Sequence, residues 1–264
     1  MLLTVYGHTE KGPRHELNED VILVGRTVCY SGDAEARMDG PSGGPFEKGL
    51  LVAVADGMGS HAVGATAARL MLESLQSTFY GEERPSDLRT LVNVLYGAAM
   101  HGNEVVLAHG VSRPETKGMG CTLAGVLLCG GEYVAFHAGD SRVYRLCRGV
   151  LRKLTDDDTL VGMAVRNGRM TPREAMASKR RHYVTNATGS RSFRLHVGEC
   201  QPLGDGDALL LCSDGLHGVV SADRIEGLLA EGRSAEDCCR ALVSAAEKRG
   251  GYDDVSVIVI RAEA

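Results

Sequence analysis

Six short acidic clusters stand at the ends of apolar runs or at turns: Asn18-Glu19-Asp20, Asp56-Gly57-Met58-Gly59, Gly139-Asp140-Ser141-Arg142, Thr155-Asp156-Asp157, Ser213-Asp214-Gly215 and Asp253-Asp254. Carboxylates at the ends of several separate strands can converge on one point. An oxygen-only donor set suits hard divalent cations such as Mg²⁺ or Mn²⁺ and suits zinc or copper poorly. That chemistry is metal-assisted hydrolysis. Taken singly, Asp56-Gly57 or Asp214-Gly215 reads equally well as a turn closing a strand.

The elements that must position these clusters are legible as apolar runs. Val21–Val24, Leu50–Ala55, Thr122–Leu128, Tyr133–Ala138, Val143–Leu146, Ala208–Cys212 and Val255–Ile260 read as strands bounded by Gly, Asp or Ser. Gly130-Gly131 and Arg148-Gly149 mark hairpins. Helical spacing appears in Ala62–Leu75 and in Leu88, Leu91, Val92, Leu95 and Ala99, with Ser86 placed to cap the second run. Ser221 and Ser234 are placed to open two C-terminal helices, and Thr171-Pro172-Arg173-Glu174 opens a short one. Strands arranged in hairpins favour antiparallel sheets covered by helices over a doubly wound parallel sheet. Ser31–Lys48, rich in Gly, Pro and charge, reads as a long mobile loop.

Composition narrows the function further. A chain of 264 residues with 44% apolar residues is folded and fits one large domain. A net charge of −5 gives no case for nucleic-acid binding. Met1-Leu2-Leu3-Thr4 does not begin a signal peptide, and no apolar stretch approaches the roughly 20 residues needed to cross a bilayer. Eight cysteines without a CxxC pair read as buried, reduced thiols, so a cytoplasmic protein without a membrane partner is expected. Charge is distributed unevenly. Arg166–Arg194 holds eight basic residues and one acidic one, net +7 against −12 for the remainder. A basic insert on an acidic chain is suited to meeting an anionic substrate, although a solvated face would look the same.

In order, DGMGSH, AGDSR, LCSDGL and GYDDVSV resemble the metal-dependent Ser/Thr protein phosphatases of the PPM, or type 2C, family in their bacterial form. The resemblance extends over almost the whole chain. It implies an α+β fold: a four-layer αββα sandwich of two antiparallel sheets flanked by helices. A single domain over residues 1–264 would carry a flap subdomain inserted at 156–198. By the same resemblance Asp56 would bridge two Mn²⁺ or Mg²⁺ ions, with the Gly57 carbonyl on one and Asp214 and Asp253 completing the other. Glu19 and Asp20 would hold waters around the metals, and Asp140 would serve a weaker third ion. The implied reaction is hydrolysis of phosphoserine and phosphothreonine in proteins, the products of a Ser/Thr kinase, by a monomer. Two cations suit it, since they activate water and neutralise phosphoryl charge without a covalent nucleophile. Consistently, Cys29, Cys121 and Cys212 have no Arg six residues downstream.

The chain departs from the family pattern at several positions. The phosphate-binding Arg of the N-terminal motif falls on His15, with Arg14 beside it. Arg14 is the better clamp chemically, because guanidinium is permanently charged and forked. Asp158 replaces a usual His, and Asp254 replaces a usual Asn, placing a second carboxylate beside Asp253. Met58 stands where eukaryotic relatives carry a His proposed as general acid, so leaving-group protonation falls to water, or to His61 as a proton carrier. Two rival readings stand beside the enzyme: a non-catalytic phosphoprotein-binding module of the same fold, and a regulatory phosphatase dedicated to one partner. A decayed enzyme would have lost at least one of Asp56, Gly57, Asp214 and Asp253, and all are present.

Overall fold

The computed structural model describes residues 2–39, 48–59, 62–81 and 85–263. Its strands are β1 (Leu2–Glu10), β2 (Asp20–Val24), β3 (Thr27–Cys29), β4 (Gly32–Asp39), β5 (Leu50–Met58), β6 (Gly120–Cys121), β7 (Leu123–Cys129), β8 (Glu132–Ala138), β9 (Arg142–Cys147), β10 (Val150–Lys153), β11 (His196–Val197), β12 (Gln201–Pro202), β13 (Ala208–Cys212) and β14 (Val255–Glu263). One sheet runs β10-β9-β13-β14-β1-β4 and the other β11-β8-β7-β5-β2-β3, with β12 on β8 and β6 on β5. Neighbouring strands are antiparallel.

Side-chain alternation along the strands explains the layering. In β2, Ile22 and Val24 join Leu50, Val52 and Val54 of β5 against Leu209, Leu211, Ile258 and Ile260 of the opposite sheet. The alternate residues Val21, Leu23, Leu51 and Ala53 face outward and pack on α1 (Ala62–Gly81) and α2 (Leu88–Ser112). On the other side Leu210, Val257 and Val259 pack on α6 (Ala222–Ala230) and α7 (Ala235–Lys248). Both faces of each sheet are therefore covered, which is why these strands read as continuous apolar runs. The result is the expected αββα sandwich.

Among the described residues there are three shorter α-helices: α3 (Leu160–Arg166) and α4 (Pro172–Ala177) lie between β10 and β11, and α5 (Asp214–His217) follows β13. Thr171 and Glu174 form the expected capping box on α4. Both hairpins form as read, with Cys129 opposite Glu132 and Val150 opposite Cys147. Each has two positive φ angles at its tip, 61° and 81° at Gly130-Gly131 and 51° and 75° at Arg148-Gly149, the twist that suits two-residue hairpins.

Three expectations are corrected. The segment read as a mobile loop contains β4, because Gly32–Asp39 pairs along the edge of β1; residues 40–47 lie outside the described residues. Asp87, not Ser86, caps α2, accepting a hydrogen bond from the Thr90 N–H at 2.9 Å. Ser221 stands at the N-cap of α6 but makes no side-chain cap bond, whereas Ser234 accepts from the Asp237 N–H as expected. Asp87→Ala should therefore lower the melting temperature by about 2–4 °C, the usual effect of a lost cap in a chain of this size. Ser86→Ala should leave the melting temperature unchanged in the same calorimetric scan.

Candidate metal centre

Strand ends carry the acidic clusters to one place. Asp20 opens β2 directly opposite Asp56 near the end of β5. Asp214 begins α5 at the end of β13, and Asp253 precedes β14, the neighbour of β13. Asp140 occupies the turn between β8 and β9. Backbone interlocks hold the ends in register. The Asp56 N–H donates to Thr122 Oγ1 at 3.1 Å, and the Thr122 N–H donates to the Asp56 carbonyl at 2.8 Å. Thr122 in turn shares a 2.7 Å hydroxyl contact with Ser141, next to Asp140. Gly57 is needed where it stands. Its N–H donates to the Glu19 carbonyl at 3.1 Å, and a Cβ there would come within 2.4 Å of the Gly64 carbonyl in the first turn of α1.

The electrostatics report how close the carboxylates are. Burial first, then the charges of Asp20, Asp214, Asp140 and Asp253, push Asp56 well above the ordinary aspartate range. Asp20 is raised chiefly by burial, against the 2.6 Å hydrogen bond it accepts from the Ser213 hydroxyl. Burial, Asp214 and Asp157 push Asp140 up to about 7. Asp253 is raised by burial and then by Asp214. Asp214 moves the other way: burial opposes ionisation, but His182 at 3.4 Å and His217 outweigh it. Among the described residues, the basic side chains within 4 Å of these five aspartates are His182 and His15, the latter 3.7 Å from Asp253. Such a cluster of mutually repelling oxygens, with the Gly57 carbonyl beside it, fits hard divalent cations by its donor chemistry.

The other sequence-predicted residues border this cluster. Glu19 is buried, and its carboxylate lies 2.6 Å from where a Cβ on Gly64 would stand. His15 Nδ1 lies 3.0 Å from Asp254 Oδ2, and this contact raises the imidazole above its ordinary value despite partial burial. The Arg14 guanidinium lies 3.7 Å above the ring of Tyr252, beside Asp253, and no described carboxylate pairs with it. His61 lies outside the described residues.

Two histidines were not singled out in the sequence. His182 reaches Asp214 from inside the basic segment. His217, three residues after Asp214 on α5, donates from Nε2 to the Asp140 carbonyl at 3.0 Å, and burial and Arg142 push it down to about 4. The i, i+3 spacing of Asp214 and His217 was the available signal. Arg142 forks onto Asp157 at 3.0 and 2.6 Å, and Lys153 adds a 2.9 Å contact, so Asp157 stays ionised despite burial. A cavity of about 340 Å³ opens between Asp140, Asp214 and His217 on one side and α3, α4 and Arg181 on the other.

Residues 45–254 match the family model described as Protein phosphatase 2C. The chain belongs to the protein phosphatase 2C family. The serine/threonine protein phosphatase PstP of Mycobacterium tuberculosis is 36% identical over 211 residues, 79% of this chain, and the match spans only 40% of that relative's length. A Streptococcus agalactiae serine/threonine phosphatase structure superposes with a TM-score of 0.85 at 26% identity, covering 99% of this chain and 100% of that one. The PstP catalytic domain in complex with two manganese ions gives 0.79 at 30% identity, with both chains fully covered.

Within this protein phosphatase 2C chain, Asp254 is a brace and not a surplus charge. Its two oxygens accept the Gly12 N–H at 2.7 Å and the Glu19 N–H at 2.6 Å, and the residue is 3% exposed. Asn would turn an NH₂ group against one of those donors. Asp254→Asn should cost about 1–3 kcal/mol, the penalty for a buried donor left unpaired, read from urea unfolding of the metal-free protein.

Proposed function

We propose that this chain is a metal-dependent phosphatase of phosphoserine and phosphothreonine in proteins, working with two Mn²⁺ or Mg²⁺ ions. The observation that carries this reading is the convergence of Asp20, Asp56, Asp140, Asp214 and Asp253 from separate strand ends into one acidic centre that runs from buried Asp20 to exposed Asp253. Family membership and the two manganese ions of the related PstP domain support it. In this reading Asp56, the Gly57 carbonyl, Asp214 and Asp253 hold the two ions, Glu19 and Asp20 hold waters around them, and Asp140 serves a weaker third. When bound, the cations supply Lewis-acid activation of water and neutralise phosphoryl charge.

The chain's own residues position the rest. Thr122 and Ser141 hold Asp56 and the Asp140 turn against each other. In this reading residues 1–264 form one domain and residues 156–198 a flap within it, whose Arg166, Arg181 and His182 border the cavity beside Asp214 and whose basic excess suits the approach of a phosphopeptide. The substrates are assigned to a Ser/Thr kinase. A monomer in the cytoplasm is the corresponding setting, supported by eight free thiols, five of them buried. No described helix is long and apolar enough to cross a membrane.

Release of phosphate from a phosphopeptide on addition of Mn²⁺ tests the activity directly. Asp56→Ala, Asp214→Ala and Asp253→Ala should each reduce it by several orders of magnitude without unfolding the protein, because each removes a ligand of a cation. Asp140→Ala should keep Mn²⁺ binding at the main pair in titration calorimetry. Substantial turnover by folded Asp214→Ala at saturating Mn²⁺ would overturn the assignment, and a wild-type chain that binds phosphopeptide without cleaving it would establish the binding-module reading.

Arg14 is the proposed phosphate clamp. Stacking on Tyr252 holds the guanidinium by its face and leaves its N–H edge available, whereas His15 is engaged by Asp254 and Asp253. Arg14→Ala should raise KM by about 10- to 100-fold, the worth of a charged hydrogen bond. His15→Ala should leave KM within about threefold. The reverse order in steady-state kinetics would transfer the role to His15.

A further inference from the structure

A second group of metal-ligating side chains stands apart from the acidic centre and shares no residue with it. His137 of β8 faces His196 of β11 in antiparallel register. Their rings stack with centroids 4.9 Å apart and an interplanar angle of 25°. Asp158, just before α3, brings its Oδ2 within 3.4 Å of His196 Nε2. One ligand atom from each of the three residues lies within 4.8 Å of the other two. We propose that His137, Asp158 and His196 form a transition-metal site that takes a borderline divalent ion such as Zn²⁺ and pins the base of the flap to β8.

Each ligand is prepared differently. His137 is 9% exposed, and its Nε2 lies 2.8 Å from the Asp156 carbonyl. A carbonyl only accepts, so Nε2 carries the proton and Nδ1 keeps the lone pair. Among the described residues Nδ1 has no hydrogen-bond partner. A ring nitrogen held by a backbone carbonyl while the other stays free is the arrangement that orients metal-bound histidines. Burial, with His196 acting in the same direction, holds His137 below its ordinary pKa, so the ring is neutral as a ligand must be.

Asp158 is also oriented. Its Oδ2 accepts the Gly139 N–H at 3.2 Å and Asn186 Nδ2 at 2.7 Å. Its backbone N–H donates to the Gly139 carbonyl at 2.9 Å, and its carbonyl accepts from the Thr185 N–H at 2.7 Å. His196 is the adjustable member, with 48% of its side chain exposed. Tetrahedral Zn²⁺ with bonds of 2.0–2.1 Å needs ligand atoms about 3.3 Å apart. Rotation of His196 about its side-chain bonds is the movement available to close the triangle. Two imidazoles and one carboxylate favour Zn²⁺ and its neighbours over Mg²⁺, and the exposed side of His196 leaves a fourth position for water.

The topology gives the ion a task. Asp158 stands where the flap leaves the sheets, and His196 stands where it returns. An ion held by both and by β8 would close the base of that excursion three residues from Asp140. This is separable from the phosphatase reading, since neither depends on the other's ligands.

Co²⁺ provides the test, because its visible d–d absorption reports nitrogen ligation and low coordination. The full chain is kept in excess Mg²⁺ to occupy the carboxylate centre and titrated with Co²⁺. One equivalent should bind with an intense visible band. His196→Ala, an exposed change that circular dichroism can confirm as folded, should weaken binding by at least about tenfold and remove the band. Asp158→Asn should behave like His196→Ala, and Asp214→Asn should keep the band. A wild-type titration indistinguishable from that of His196→Ala would overturn the proposal. Loss of the band in Asp214→Asn with retention in His196→Ala would also overturn it, by assigning the ion to the acidic centre.

Discussion

The constraint on which this structure depends is the repulsion among carboxylates that the two sheets force together. Asp20, Asp56, Asp140 and Asp253 would each be more comfortable in water, and their raised pKa values express the cost of gathering them around Asp214. What opposes that cost lies elsewhere. Three apolar layers, one between the sheets and one under each helical cover, hold the strands in registers that place every acidic cluster at the same edge. Neutral interlocks fix the ends locally: Ser213 on Asp20, Thr122 on Asp56, and Ser141 on Thr122. The stability is stored in the sandwich, and the site draws on it, as expected of a centre completed by cations.

Much of this was legible in the residues, and the legible parts share a physical cause. Strands covered on both faces are apolar throughout, so β5, β7, β8, β13 and β14 announce themselves, and all but β7 end at or begin beside an acidic cluster. The capping box on α4 and the two hairpins are local chemistry that needs no partner to be recognised. The parts that were not legible depend on partners distant in sequence. β1 mixes Thr4, Gly7, His8 and Thr9 with apolar residues, and is a strand because β14 and β4 flank it. β4 reads as charged loop because it is an edge strand with exposed alternate residues.

The same distinction holds at the site. The aspartates carried by strand ends could be picked out, because their placement follows from local punctuation. The role of Asp254 could not. From sequence it is a duplicate charge beside Asp253; in space it is the acceptor for two backbone donors on a loop at the far end of the chain. His182 was hidden for a similar reason: its meeting with Asp214 depends on the path of the segment between β10 and β11.

That Asp254 accepts from Gly12, 242 residues earlier, has a consequence for the order in which the molecule can assemble. Chain closure over such a separation comes late, and contacts of this kind slow folding. During synthesis β1 leaves the ribosome long before β14 and must wait for it with one edge unpaired. Until residue 254 has emerged, the loop bearing Glu19 has no anchor, and Asp214 lacks the strand beside it. The emerging polypeptide therefore acquires its acidic centre only after β14 has emerged, and a nascent chain cut short before that strand would present the aspartates without the frame that makes them converge.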